Sequence, residues 1–138
     1  MKKLLFLLPL ILLACQKPET PDQADLRQKL VGRWEVTYEI TPTDSISYVN
    51  NPNRPCAYAI LPYDYNSGFE LWGDGQYELI WCGRNKSQFA QGWFLDERQL
   101  HFPWPDQDES IFELIDIAEE EMMLMNAEGV RYHLQRLN

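Results

Sequence analysis

The chain lacks the short motifs that announce common chemistries. No GxSxG, HExxH, Walker A or GxGxxG stretch occurs in its 138 residues, so the signatures of serine hydrolases, zinc proteases, phosphate-binding loops and dinucleotide folds are all missing. Histidine is scarce, with His101 and His133 alone. No nucleophile and base can be paired from the sequence, and an enzyme is not expected. Basic residues are also few. Twelve Lys and Arg face 21 Asp and Glu, for a net charge of −9, which speaks against nucleic acid or anionic lipid headgroups as partners. The longest apolar run, Leu4 to Ala14, has 11 residues, against the roughly 20 that a transmembrane helix needs.

What is present begins with that run. Lys2 and Lys3 precede it, Ala14 closes it, and a polar, proline-bearing stretch follows; this is the build of a secretory signal. Leu12, Leu13, Ala14 and Cys15 resemble a bacterial lipobox. The resemblance implies that residues 1–14 are removed and that Cys15 is the first mature residue and carries the lipid. Two or more acyl chains hold a protein stably on a membrane, each buried methylene contributing about 0.8 kcal/mol. Gln16 is not the Asp that retains many enterobacterial lipoproteins in the inner membrane, so the resemblance favours the outer membrane of a Gram-negative envelope. Residues 15–20, the lipidated cysteine and a short polar stretch, then form a tether that cannot bury a core.

The remaining 21–138 make one domain with one core. Loss of Lys2 and Lys3 leaves ten basic against 21 acidic side chains, a net −11, suited to solubility or to a basic partner. Cys56 and Cys82 are the cysteines left after Cys15. Export favours a disulfide between them, with two buried free thiols as the plain alternative; neither lies in a CxxC spacing.

Thr20, Pro21 and Gln23 have the order of an N-cap, a first-turn proline and a capping-box partner. They predict a short amphipathic helix from Pro21 to Val31, with Leu26 and Leu30 on one face and Gly32 ending it. Beyond Gly32 the period becomes two. Trp34, Val36, Tyr38 and Ile40 alternate with Arg33, Glu35, Thr37 and Glu39, and Val130, Tyr132 and Leu134 alternate in the last segment; both read as half-buried strands. Between them, 57–61, 69–72, 76–82, 87–96, the QLHFP stretch, 110–118 and the MMLMN stretch read as strands joined by short turns. Eight or nine consecutive antiparallel strands predict an all-β, up-and-down meander that closes on itself and so removes its edges. The stretch from Thr41 to Pro55, rich in Pro, Asn and Ser, reads as a strandless loop bordering the barrel mouth.

Gly32-Arg33-Trp34 entering the first strand after a short helix, the GDGQYEL hairpin and the closing strand resemble the lipocalin-like domains of bacterial lipoproteins. In lipocalins the motif tryptophan closes the barrel base and stacks on a basic side chain from the final strand. The resemblance therefore assigns Gly32 and Trp34 to barrel closure, with Arg131 or Arg136 as the stacking partner. Arg136 is preferred because its parity matches Val130, Tyr132 and Leu134.

Tyr38, Tyr77, Trp81, Trp93 and Phe102 are the candidates to line a ligand chamber. An eight-stranded barrel is either filled by side chains or holds one small ligand. Tyr77, Leu79 and Trp81 on one strand, and Phe89, Trp93 and Leu95 on the next, are large enough to favour filling. Met122 to Met125 must send some methionine outward, where it offers apolar contact. His101, among aromatics, is a weaker ligand-contact candidate, and His133 reads as a surface residue. Asp106, Asp108 and Glu109 crowd carboxylates into one loop but lack the spacing of a calcium loop; no metal or other cofactor is expected. Two functions stand: a lipid-anchored, lipocalin-like envelope protein binding a small hydrophobic molecule, or an acidic module with a filled barrel that binds a basic protein, as small lipoprotein inhibitors of lysozyme do.

Overall fold

The structure is a computed structural model that describes residues 19–57, 59–61, 65–89, 92–104 and 107–138, with backbone alone at 86–89, 104 and 107. The expected leader, Cys15, the expected tether up to residue 18, Tyr58 and Asp106 lie outside the described residues, as do the side chains of Phe89 and Trp104.

Helix α1 spans Pro21–Leu30. Thr20 has an extended backbone, and its Oγ1 accepts the Gln23 amide at 3.2 Å, so one otherwise orphaned N–H is satisfied. Leu30 is fully buried and Leu26 packs beside it, the i,i+4 face expected of so short a helix. Three side-chain contacts seat α1 on the sheet. Gln23 donates to the Glu97 carbonyl, Arg27 donates to the Gly73 carbonyl, and the Arg27 guanidinium lies 5.6 Å from the Trp93 ring centroid.

Ten strands follow among the described residues: β1 Gly32–Ile40, β2 Ser45–Ser47, β3 Gly68–Leu71, β4 Tyr77–Trp81, β5 Arg84–Phe89, β6 Phe94–Asp96, β7 Gln99–Trp104, β8 Gln107–Ile117, β9 Glu121–Met125 and β10 Arg131–Leu137. They form one antiparallel sheet in the order β5-β4-β3-β1-β10-β9-β8-β7-β6, with β2 paired to the far end of β1. The fold is an all-β, up-and-down meander with one short N-terminal helix. No ladder joins β5 to β6 among the described residues. The sheet nevertheless curls until its two halves meet: Phe69 of β3 and Tyr77 of β4 lie 4.9 and 5.2 Å from Phe102 of β7, ring centroid to ring centroid. We call the end at Gly32, Leu71 and α1 the base.

Alternation decides what is inside. Trp34, Val36, Phe69, Leu71, Tyr77, Leu79, Leu100, Phe102, Phe112, Leu114, Met122, Leu124, Tyr132 and Leu134 make the buried core with Leu30 of the helix. Each fully buried large apolar side chain is stabilised by about 1.5–3 kcal/mol relative to exposure. From Phe102 the ring contacts continue to Phe112 at 5.9 Å and on to Tyr132 at 6.0 Å, both edge-on, the geometry aromatic pairs prefer. Met122 and Leu124 face inward, whereas Met123 and Met125 are half-exposed on the outer face.

Several expectations need correction. None of the described residues of 57–61 lies in a strand; Ala59 makes an isolated bridge to Asn66. The stretch Thr41–Pro55 contains β2, whose three residues pair with Tyr38–Ile40. Residues 87–96 are not one strand, because β5 ends at Phe89 and β6 starts at Phe94. The bulge between Val36 and Tyr38 matters most. It shifts the register against β10 so that Tyr38 lies opposite His133 and Glu39 opposite Tyr132. An inserted residue reverses side-chain parity, so Tyr38 and Ile40 turn outward, 42% and 39% exposed, while Glu39 turns toward the core side.

Candidate functional site

At the base, Gly32, Trp34 and Arg136 come together as one unit. Trp34 is fully buried and its indole N–H donates to the Leu30 carbonyl at 2.8 Å. The Arg136 guanidinium carbon sits 4.2 Å from the Trp34 ring centroid. Its three nitrogens donate to the carbonyls of Glu119, Val31 and Lys29 at 2.7, 2.8 and 2.8 Å. Two of those carbonyls belong to the C-terminal end of α1, where unpaired C=O groups and the partial negative charge of the helix dipole favour a cation. Gly32 has φ +138, and a Cβ there would fall on the Arg136 Nη1; the glycine leaves the space through which the guanidinium reaches the helix.

The five ligand-lining candidates do not share a chamber. Tyr77 and Phe102 are fully buried inside the ring contacts, and the Tyr77 hydroxyl donates to the Pro103 carbonyl. Trp93 seals the base edge, its indole N–H donating to the Trp72 carbonyl and its amide to the Gly75 carbonyl. Trp81 is 40% exposed against Tyr65, and Tyr38 is on the outer face. His101 also lies on the outer face, between Phe94 and Ile111 in the ladder. It is stacked on Phe94 with ring centroids 4.4 Å apart, and its Nδ1 is 3.2 Å from Glu109 Oε1. His133 is half-buried beside Thr37, with Glu121 3.9 Å away. Among the described residues no group of three His, Cys, Asp or Glu is placed to hold a metal ion.

Remote from the base, three residues ahead of β3 reach the core. Ala57, Ile60 and Leu61 join the main cluster, and Asn66, fully buried, holds them there. Its Oδ1 accepts the amides of Ile60 and Leu61 at 3.0 and 2.9 Å, and its Nδ2 donates to the Leu61 carbonyl at 2.9 Å. One amide side chain thus satisfies three backbone groups that burial would otherwise leave unpaired. Nothing in the composition around Asn66 singles it out from the other asparagines nearby.

Cys56 and Cys82 are joined in a disulfide, with their Cα atoms 5.4 Å apart. Cys82 and Gly83 form the two-residue turn between β4 and β5, both with positive φ, +48 and +76. This is the primed hairpin geometry that normally selects Asn, Asp or Gly; a cysteine stands there because the bridge needs it. A crosslink spanning 26 residues contributes about 3 to 4 kcal/mol through loop entropy. The bridge anchors the stretch that ends at Pro55 beside the outer face of β1 and β10. Between them runs a groove of about 410 Å³, lined by Glu35, Val36, Thr37, Tyr48, Val49, Pro55, Cys82, Gly83, Gln135 and Leu137.

Near the far end of β1, the inward-turned Glu39 accepts the Tyr48 hydroxyl at 2.8 Å. Burial first, and then the bond to Glu39 and its charge, push the Tyr48 hydroxyl well above its ordinary value. Burial and the charges of Glu39 and Glu128 push Tyr132 up to about 12. A raised pKa in the folded state favours the protonated form there, so this stabilisation is complete below about pH 10 and is lost as pH climbs toward and past 12. The melting temperature should therefore fall across that window. The fall should flatten in a Tyr48→Phe, Tyr132→Phe double variant, as followed by circular dichroism melts at stepped pH.

Comparison with protein-family models, with curated proteins and with solved structures finds no match to this chain. The class is therefore defined by its own geometry: a disulfide-tied, helix-based β-meander with an aromatic interior and an acidic exterior.

Proposed function

We propose that this chain is a lipid-anchored envelope protein, held by Cys15 on the outer membrane of a Gram-negative bacterium, whose lipocalin-like domain binds a basic protein through its surface. The observation that carries the reading is the interlocked set of rings from Phe69 and Tyr77 through Phe102 and Phe112 to Tyr132. Large rings in mutual contact across this interior favour recognition by the outside over an enclosed small apolar molecule. That outside carries a net −11 once the leader is gone, and opposite charge on a partner speeds encounter and selects against wrong ones. The Gly32, Trp34 and Arg136 unit supports the lipocalin-like part of the reading.

The test compares two binding modes. The full lipidated chain in detergent is titrated with lysozyme as a basic probe at about 0.1 M and about 1 M salt, over which the Debye length drops from about 10 to about 3 Å. Saturable binding that fades with salt is expected. Absence of binding, together with a native mass spectrum of the Cys15→Ser chain that retains a cargo of small-molecule mass, would overturn the reading in favour of a small hydrophobic ligand.

A further inference from the structure

We propose that the groove beside the disulfide is an anchor pocket for a single lysine side chain of the partner, with Glu35 as its counter-ion. The inference rests on the proposed basic-partner reading and gives it an address.

Glu35 lies on the outer face of β1 and is fixed through one oxygen only. Its Oε1 accepts the Ser67 hydroxyl at 2.9 Å and the Gly83 amide at 3.1 Å. Its Oε2 has no hydrogen-bond partner among the described residues and lies 3.8 Å from the position a Cβ would take on Gly83, at the groove wall. Arg33, a cation on the same face of β1, is committed elsewhere: its Nη2 donates to the Gly83 carbonyl and to Asn85 Oδ1. A carboxylate whose orientation is set by two donors, and whose second oxygen is left open, is pre-organised for one more donor.

The rest of the groove suits the stem of a long side chain. Val49, 53% exposed, Pro55 and Leu137 give apolar walls, and Gln135 adds an amide beside the carboxylate. Lysine buries its methylene stem on such walls while its ammonium reaches a polar tip. A single open oxygen also favours lysine over arginine, because the guanidinium fork gains most from bidentate contact with both carboxylate oxygens. Two walls, Pro55 and Cys82, are brought together by the Cys56–Cys82 bridge, so the crosslink gives the pocket its shape as well as holding the loop.

The experiment uses the full lipidated chain in detergent micelles and two blocked pentapeptides, one with a central lysine among alanines and one with norleucine in its place. Amide shifts of Val49, Gly83 and Gln135 in nitrogen-15 spectra report occupancy. The lysine peptide is expected to shift these amides saturably and the norleucine peptide to leave them unmoved, a comparison that needs no variant to fold. Glu35→Gln keeps an oxygen for Ser67 and Gly83 but removes the charge; it should weaken the lysine peptide at least tenfold, and Glu70→Gln should not. Equal response to both peptides, or full affinity in Glu35→Gln, overturns the pocket. Salt-sensitive lysozyme binding that persists in Glu35→Gln would place the partner elsewhere while leaving the basic-partner reading standing. Lysine-specific shifts without lysozyme binding would keep the pocket and count against that reading.

Discussion

Asn66→Ala should cost about 3–6 kcal/mol of stability, seen as a large drop in urea midpoint with little change in slope. Truncation removes the Oδ1 that accepts two amides and the Nδ2 that donates to one carbonyl. It leaves these groups buried, and each buried unsatisfied group costs about 1–3 kcal/mol. The chain supplies its own control. Asn51 makes the same three types of bond, accepting the Asn53 and Arg54 amides and donating to the Ser47 carbonyl, but in an exposed turn. Water can replace the lost partner there, so Asn51→Ala should cost no more than about 1 kcal/mol. Equal losses at the two sites would show that the segment around Ile60 and Leu61 is not packed as described.

Arg136→Met should cost about 2–4 kcal/mol, because it deletes three charge-assisted bonds to backbone carbonyls together with the stacking on Trp34. Arg136→Lys should recover less than half of this, since one ammonium cannot reach Lys29, Val31 and Glu119 with the fork geometry of a guanidinium. Gly32→Ala should be severe in the native background for two reasons: the positive φ, and the meeting of its Cβ with the Arg136 guanidinium. Removing the guanidinium relieves only the second. A thermal-melt double-mutant cycle between Gly32→Ala and Arg136→Met should therefore show a coupling of about 0.5–3 kcal/mol, and strict additivity would mean that the two residues do not share the space.

Much of this arrangement was legible because it follows local periodicity. Thr20 with Pro21 marks the helix start, the alternation in residues 130–137 puts Arg136 on the side of Tyr132 and Leu134, and Gly73-Asp74-Gly75 marks the β3–β4 hairpin. What escaped depends on contacts between distant segments. Tyr38 continues the apolar alternation of Trp34 and Val36, yet a bulge against β10 turns it outward and brings Glu39 in; no residue type at Thr37 announces that. The break in residues 87–96 is set by the Trp93 amide reaching Gly75, a turn far away in sequence. Residues 57–61 look like a strand because they are apolar, but Asn66 ties Ile60 and Leu61 into the core instead. The groove at Glu35 was missed because its walls come from β1, β10 and both sides of a crosslink, and a lone glutamate in an alternating strand reads as the polar half of the pattern.

The placement of β1 also sets an order of events during synthesis. Strand β1 lies between β3 and β10, so one of its neighbours is made after all the other strands described. Until residues 131–137 emerge, Trp34 has no guanidinium above it and α1 has no cation on its terminal carbonyls. Contacts of such long sequence separation make assembly slow. The nascent chain therefore carries an unfinished, apolar-faced sheet until β10 emerges, and a chain without Arg136 would leave the base open.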